Sequence, residues 1–326
     1  MKQLDEFGGC LPLELHDLGE YYNPNQYSLL RTNSCRTAIW VALKKLKPKQ
    51  VYVPHYMCDV VYEAINSLSI PMIKYYIDEQ FFPVNINPSK NDCLILVNYF
   101  GCFDTQMTEL MQLYANTNVI LDYSLAFFCP PSKNAYTVYS PRKFIGVPDG
   151  GYFIDTTQNE TELVELERDF SYDRMMQLLM PIESTTNSSY EYFKKNEARL
   201  ISNYKGMSRL TEYLLRGVDY TKIINKRKEN YKFIHSQFAG INQLCLPEEA
   251  VPYIYPLLTS KNLVDIKKEF ISDGFYASTL WVNHLESEYE NTFEQTMAMK
   301  GLFIPIDQRY NEESLDRLCK LICSKI

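Results

Sequence analysis

The apolar residues in the first half of the chain alternate between helical and strand-like spacing. Residues 37–46 carry apolar side chains at helical intervals, and Pro48 ends that pattern. Residues 93–99 form a nearly continuous apolar run, which is typical of a strand buried on both faces. Similar patterns predict helices at 60–68 and 108–114 and strands at 51–54, 71–77, 119–121, 136–139 and 151–154. Because strands alternate with helices, we expect an α/β fold in which helices sandwich a mostly parallel sheet.

The pattern changes after about residue 156. Segments 159–180 and 189–240 are charge-rich and helical in spacing, with one long helix predicted at 220–238. The final part mixes short strands with helices; the strands are predicted at 253–258 and 301–305 and the helices at 264–273 and 312–324. We therefore expect a large domain over residues 1–235 and a smaller C-terminal α+β domain over residues 236–326.

Length and charge exclude several classes of protein. The chain has 326 residues, which is enough for two domains. Its 40 acidic residues outnumber 33 basic ones and no basic block occurs, so we expect no nucleic-acid partner. The apolar runs are far shorter than the about 20 residues that span a bilayer, so no membrane span is expected.

The N-terminus and the cysteines indicate a cytoplasmic protein. Asp5 and Glu6 stand where a secretion signal needs its apolar segment. The nine cysteines are scattered and odd in number, so they do not form a disulfide framework. The four histidines are dispersed and give no metal-ligand spacing, so we expect no metal site.

The start of the first predicted helix is a candidate phosphate site. Ser34 is a good N-terminal capping residue, and Cys35 and Arg36 follow it. A helix start exposes free N–H groups and the positive end of the helix dipole, both of which suit a phosphate. Taken alone, the same residues are more typical of an ordinary capped helix.

Two further residues could take part in chemistry. Asp122 follows a buried strand, where it could bind a metal, a ribose or a protonated ring nitrogen, or could be a solvated loop acid. Lys143 lies among aromatic and aliphatic residues before Gly150 and Gly151. Burial lowers the pKa of a lysine and makes its amine a nucleophile for a carbonyl. The alternative is a surface lysine in a turn.

Aromatic residues after two predicted strands complete the set. Tyr56 and Tyr99 could stack on a planar cofactor ring, or could simply belong to the core. The order along the chain is a helix start suited to phosphate, an aromatic strand end, a strand-end aspartate, and a lysine before two glycines. That order is expected for pyridoxal phosphate, which needs a Schiff-base lysine, an acid on its ring nitrogen and anchors for its phosphate.

The motifs in these segments resemble those of the DegT/StrS-type sugar aminotransferases, which have the aspartate aminotransferase fold type. Residues 34–38, Ser-Cys-Arg-Thr-Ala, resemble the family's Ser-Gly-x-x-Ala phosphate loop, and 120–122, Ile-Leu-Asp, resemble its Ile-Glu-Asp. Lys143 precedes the Gly-Gly pair by seven and eight residues, as the family's Schiff-base lysine does. Residues 140–144 and 148–151 resemble a subgroup with Ser-Leu-Arg-Lys-Trp and Pro-Asp-Gly-Gly.

The resemblance implies a cofactor, a set of site residues and an activity. Lys143 and Asp122 would be catalytic, and both would contact pyridoxal phosphate. The other implied cofactor-binding residues are Ser34, Cys35, Arg36, Tyr56, Tyr99, Ser140 and Asn203. The implied reaction moves an amino group from an amino acid such as glutamate to a nucleotide-linked keto-deoxysugar, for an aminosugar of a polysaccharide. The family also implies a homodimer with the active site at the interface.

The sequence departs from the family at several site positions. Leu125 stands where the family has Gln or His, Cys35 replaces the loop glycine, and Cys58 stands where many members have a stacking aromatic residue. Ser140 is three residues before the lysine rather than five, and Asn203 is one residue out of register.

These departures keep a second hypothesis open, namely an inactive or non-transaminating relative that acts as a binding or scaffold protein. A related sugar dehydratase is disfavoured because that variant replaces the lysine with histidine. A dinucleotide-binding protein is disfavoured because no GxGxxG follows the first predicted strand.

Overall fold

A computed structural model describes residues 9–157, 164–201, 203–276 and 279–326. Its larger sheet has seven strands: β1 Ser28–Thr32, β2 Val51–Pro54, β3 Met72–Tyr75, β4 Cys93–Val97, β5 Asn118–Tyr123, β6 Tyr136–Tyr139 and β7 Gly151–Asp155. The strand order is β1-β7-β6-β5-β4-β2-β3. The neighbouring strands β6-β5-β4-β2-β3 all pair parallel, whereas β7 is antiparallel to its neighbours β1 and β6. The predicted mostly parallel sheet is confirmed.

Helices flank this sheet and continue beyond it. They are α1 Cys35–Leu46, α2 Asp59–Ser67, α3 Asp104–Leu113, α4 Met176–Glu183, α5 Tyr190–Leu200, α6 Arg209–Arg216 and α7 Tyr220–Phe238. The α1 helix begins where Ser34 Oγ accepts the N–H of Thr37, and it ends at Lys47, which adopts left-handed φ. Its residues Ala38, Val41 and Ala42 are buried against the sheet, as the helical spacing of apolar positions predicted.

The C-terminal part forms a second, smaller layer. Strands β8 Ile254–Leu258 and β9 Gly301–Pro305 pair antiparallel, and helices α8 Val264–Ser272, α9 Phe293–Lys300 and α10 Glu312–Cys323 accompany them. The predicted domain boundary at 235/236 falls within α7, and the division into two domains stays a prediction. Among the described residues, no helix is both long and apolar enough to cross a membrane.

The helical prediction for 159–180 is wrong over residues 164–171. There the chain is extended, and its backbone bonds to a distant segment: the N–H of Gly206 donates to Glu167 O at 2.8 Å, and the N–H of Asp169 donates to Gly206 O at 2.9 Å. These long-range hydrogen bonds override local helical spacing. Residues 159–163 of that prediction lie outside the described part of the chain. Strand β1 and helix α9 were not predicted.

The register of the sheet decides which side chains share a face. Asp122 of β5 pairs with Val97 of β4 and with Val138 of β6, so all three side chains lie on one face. Ser140, two residues beyond Val138 and still extended, lies on the same face. Helix α1 covers this face. Tyr136 of β6 lies on the same face as Val138, and the Lys45 ammonium of α1 lies 5.5 Å from the centroid of the Tyr136 ring.

Candidate active site

Asp122 is a buried carboxylate at the C-terminal end of β5. The residue is only 4% exposed, and its Oδ1 accepts the backbone N–H of Ser124 at 2.8 Å. Burial raises the pKa of this carboxyl group, while the Ser124 N–H and the nearby Lys143 ammonium act in the opposite direction. A carboxylate in such a place is costly unless it faces a cation or donors, so the site is suited to a positively charged partner.

The N-terminus of α1 lies next to this carboxylate. Cys35 is the first helical residue, and its Sγ lies 4.0 Å from Asp122 Oδ1. The helix start is seated directly on β7, because a Cβ on Gly151 would lie 2.4 Å from the carbonyl carbon of Ser34. The positive end of the α1 dipole and its first N–H groups are therefore brought to the sheet face that carries Asp122.

Lys143 completes this group. It ends a short 3-10 helix, Pro141–Lys143, that follows β6, and its side chain is half-buried. Its ammonium lies within electrostatic range of both Asp122 and the Cys35 thiol, since it opposes the rise in the pKa of each. The Nζ is 5.7 Å from the centroid of the Tyr253 ring. The structure thus brings Lys143, Asp122 and the start of α1 together, and their roles toward a cofactor stay predictions.

Ser140 directly follows β6 and stands three residues before Lys143. The residue is 6% exposed and shares the sheet face of Asp122. In the described part of the chain its hydroxyl makes no hydrogen bond with another side chain or with the backbone. A buried hydroxyl with unused hydrogen-bonding capacity, close to a helix N-terminus, is suited to an anionic group of a ligand.

Residues of the C-terminal part hold the lysine loop. Gln308 Nε2 donates to Phe144 O at 2.8 Å, and the Arg227 guanidinium lies 4.7 Å from the centroid of the Phe144 ring. Arg227 also donates to the carbonyls of Pro252 and Tyr253 at 2.9 and 3.1 Å, and its burial lowers its pKa to about 10. Gln308 gave no sequence signal, because its role depends on a contact 164 residues away.

A buried ionic network fixes the other end of the loop. Asp149 accepts the N–H and the Oγ–H of Ser208 at 3.0 and 2.9 Å. Arg174 Nη2 lies 3.8 Å from Asp149 Oδ2 and 3.0 Å from Asp169 Oδ2. Lys143 is therefore carried on a segment anchored on both sides, so its position is set by the fold.

Two predicted phosphate contacts have structural partners. Arg36 Nη1 donates to Leu200 O at 2.7 Å, at the end of α5. The carbonyl of Asn203 accepts Asn33 Nδ2 at 2.8 Å, and Asn33 also donates to Asp169 at 3.0 Å. These bonds tie the helix start to the chain after α5. A phosphate-binding role for Arg36 and Asn203 stays a prediction.

The predicted stacking residues lie in a separate aromatic cluster. Tyr56 and Tyr99 are both buried, and Tyr99 donates its hydroxyl to the carbonyl of Tyr56 at 2.9 Å. Trp281 packs edge-on against Tyr56 with ring centroids 4.4 Å apart. Within the described residues, no hydrogen bond or ring contact joins either tyrosine to Asp122 or Lys143. Their role against a cofactor ring stays a prediction.

The departure at Leu125 has a visible packing consequence. Leu125 is 1% exposed, and its carbonyl would lie 2.7 Å from a Cβ on Gly101, which has φ of +80°. The Phe100–Gly101 turn therefore packs directly on the chain just after Asp122.

Cys58 is exposed at the start of α2. Among the described residues, no group of three or more His, Cys, Asp or Glu could hold a metal ion.

We expect Gly151→Ala to disrupt the start of α1. The added methyl would collide with backbone atoms of Ser34 and Cys35 at 2.4–2.7 Å, which cannot move away as a flexible side chain could. Overpacking of this kind costs about 1–3 kcal/mol. Urea unfolding checks this, with Gly240→Ala as the matched control because nothing lies within 4 Å of its new methyl. Equal midpoints for the two variants would contradict the close packing.

Comparison with known proteins gives matches only among solved structures. No family model and no curated protein matches this chain. The sugar aminotransferase CalS13 from Micromonospora echinospora is 13% identical, with a TM-score of 0.60 over 91% of this chain and 87% of that one. NtdA from Bacillus subtilis, solved with bound cofactor PMP, is 15% identical, with a TM-score of 0.63 over 91% of this chain and 72% of that one.

A third solved structure is also similar in fold at low sequence identity. The putative sugar aminotransferase Spr1654 from Streptococcus pneumoniae, in its PMP form, is 14% identical, with a TM-score of 0.59 over 91% of this chain and 87% of that one. This chain has the sugar aminotransferase fold. The resemblance inferred from short motifs is thus confirmed at the level of the fold. Each of these three structures matches over 91% of this chain.

Proposed function

We propose that this protein is a pyridoxal-phosphate-dependent aminotransferase that acts on a sugar. The observation that carries the proposal is the placement of Lys143, the buried Asp122 and the N-terminus of α1 around one face of the sheet. In finer detail, we propose transfer from an amino acid, glutamate first, to a nucleotide-linked keto-deoxysugar in the cytoplasm. The product would be an aminosugar for polysaccharide synthesis.

The residues present fit pyridoxal phosphate. Asp122 offers a buried negative charge that a protonated ring nitrogen would neutralise. The first turn of α1 offers backbone N–H groups and a positive dipole end for the phosphate, and the unpaired hydroxyl of Ser140 offers one more donor. Lys143 offers the amine. When bound, pyridoxal phosphate supplies an aldehyde for amines and a ring that accepts electrons.

Each of these side chains then has a defined task. Asp122 would accept a hydrogen bond from the ring nitrogen and hold a proton at that atom, and its burial would keep water from competing. Lys143 would hold the cofactor covalently through Nζ. As a free amine, Lys143 would serve as the general acid–base that moves a proton at the donor's α-carbon. The anchored loop would keep that amine within electrostatic range of Asp122.

The sugar class of substrate is supported by the comparison structures, several of which are described as sugar aminotransferases. At 13–15% identity these matches bear on the fold, so the substrate is inferred together with the motif resemblance in residues 140–151. The nucleotide carrier and the glutamate donor are supported by that motif resemblance alone.

A homodimer is supported by an exposed apolar surface beside the lysine loop. Helix α4 buries none of its residues, and Leu179 and Ile182 are 45% and 76% exposed. This helix contacts the loop, because a Cβ on Gly146 would lie 3.8 Å from Leu178 Cδ2. Large exposed apolar residues clustered in this way are typical of an interface. A second copy placed here would lie next to the site.

We expect the protein to sediment as a dimer at micromolar concentration, and the Leu179→Asp/Ile182→Asp double variant to sediment as a monomer. Two desolvated carboxylates in an apolar interface would be strongly unfavourable. Ile241→Asp is the control, since Ile241 is 55% exposed but lies beyond the end of α7. A monomeric wild type, or a double variant that remains dimeric, would contradict this assignment of the interface.

The absorbance spectrum tests the proposed function. Protein supplied with pyridoxal phosphate should be yellow, lose its visible band on borohydride reduction, and change colour when glutamate is added. A nucleotide-linked keto-deoxysugar should then restore the original spectrum. Protein that binds the cofactor but keeps its spectrum with every amino donor would instead support the non-transaminating relative, for which the buried Leu125 is the structural argument.

A further inference from the structure

The side chain of Cys35 extends into the space between the two ends of the candidate site. The backbone of Cys35 lies against β7 so closely that a Cβ on Gly151 would be 2.7 Å from its nitrogen. The thiol extends instead toward the end of β5, where Sγ lies 4.0 Å from Asp122 Oδ1. The sulfur therefore lies between the helix start and the buried carboxylate.

A ligand is indicated in this space by observations other than the cysteine. Ser140, which is 94% buried, makes no side-chain hydrogen bond in the described part of the chain, and its register places it on the face of Asp122. Asp122 is itself 96% buried and lies within electrostatic range of Lys143. An unused hydroxyl, a buried carboxylate and an amine thus surround the position that the thiol borders.

We propose that Cys35 is a positioning residue whose sulfur lies against the edge of the bound cofactor ring, between its phosphate and its nitrogen, and sets how deeply the ring sits. This inference rests on the proposed function and deepens it. The helix start would hold the phosphate and Asp122 the ring nitrogen, so a side chain between these two anchors must meet the ring edge that joins them.

The state of the thiol agrees with a packing role. Burial and the adjacent Asp122 carboxylate raise the pKa of Cys35 well above its usual value, and Lys143 and Arg36 oppose this more weakly. The group is therefore a neutral S–H at physiological pH, a poor nucleophile and a weak donor toward Asp122. A neutral, polarisable sulfur is suited to contact with an aromatic ring edge.

Thiol alkylation in the presence and absence of pyridoxal phosphate tests the proposal without measuring activity. Free protein is treated with iodoacetamide at alkaline pH, where more of each thiol is ionised, and the rate at each cysteine is followed by peptide mass spectrometry. We expect saturating pyridoxal phosphate to slow alkylation of Cys35 by roughly tenfold or more, as for a group that becomes covered by a ligand. The exposed Cys245 and Cys323 serve as internal controls whose rates should not change.

Substitutions give a second measurement. Cys35→Leu fills the space beside Asp122 and should raise the dissociation constant for pyridoxal phosphate by roughly tenfold or more, whereas the smaller Cys35→Ser should change it by only a few-fold. Cys245→Leu is the matched control and should bind as the wild type does.

The outcomes separate this proposal from the proposed function. Visible absorbance together with unchanged alkylation of Cys35, or with normal binding by Cys35→Leu, would overturn the role of Cys35 and leave the aminotransferase standing. Absence of any visible band at saturating pyridoxal phosphate would overturn both. Protection of Cys35 alone, with weakened binding by the leucine variant, would support the proposal even if Cys35→Leu proved less stable, because protection is measured on the wild type.

Discussion

Lys143→Ala should abolish the covalent attachment of pyridoxal phosphate and lower turnover by at least roughly 10²- to 10⁴-fold, the range contributed by a general acid–base group. The expectation follows from the position of Lys143 on an anchored loop, within electrostatic range of Asp122 and Cys35. Borohydride reduction followed by peptide mass spectrometry measures the attachment directly. In the wild type the added mass should appear on the peptide that contains Lys143.

Lys133→Ala is the matched control for this variant. Lys133 is exposed in the turn before β6, outside the candidate site, so its removal should leave both attachment and turnover unchanged. Borohydride-stable label that persists in Lys143→Ala, or that maps to another lysine in the wild type, would show that the amine has been assigned to the wrong residue.

Asp122→Asn should retain the fold and most cofactor binding but lose turnover by roughly 10²- to 10³-fold, as expected when one preorganised electrostatic contact is removed. An amide has no negative charge with which to keep the ring nitrogen protonated, so the ring would accept electrons less readily. Steady-state kinetics with glutamate measure the loss. Turnover close to that of the wild type would contradict the role of Asp122.

The stability of the cofactor-free variant gives a second, independent signature. Burial raises the pKa of Asp122 in the folded protein, so its ionised form destabilises the fold at pH values above the folded pKa. This destabilisation is absent at pH values below the pKa of 3.8 in the unfolded chain, and it is fully present at pH values above the raised pKa of the folded protein. Urea unfolding should therefore show Asp122→Asn at least as stable as the wild type at neutral pH, with the difference vanishing in acid.

Much of the fold could be predicted because its central elements are specified locally. The buried strand at 93–97 is a continuous apolar run, the long helix at 220–238 has regular spacing, and α1 begins at a capping serine. Asp122 and Lys143 could be proposed as candidate site residues for a related reason. Asp122 lies at the C-terminal end of β5 and Lys143 comes shortly after β6, and the carboxyl ends of parallel strands are where such sheets bind ligands.

The features that could not be predicted depend on distant parts of the chain. The extended course of 164–171 is set by hydrogen bonds to Gly206, and the lysine loop is held by Gln308 from the C-terminal part. The contact between Cys35 and Asp122 joins residues 87 positions apart. The surroundings of Tyr56 and Tyr99 could not be predicted either, because residue type alone does not reveal that the distant Trp281 packs against both rings.

The central claim is that Lys143, Asp122 and the start of α1 together hold one molecule of pyridoxal phosphate. A crystal structure of the protein grown with that cofactor tests it most directly. The account predicts continuous density from Lys143 Nζ to the ring, the ring nitrogen within hydrogen-bonding distance of Asp122, and the phosphate at the N–H groups of the first turn of α1. A cofactor bound elsewhere, or a Lys143 side chain directed into solvent away from Asp122, would contradict it.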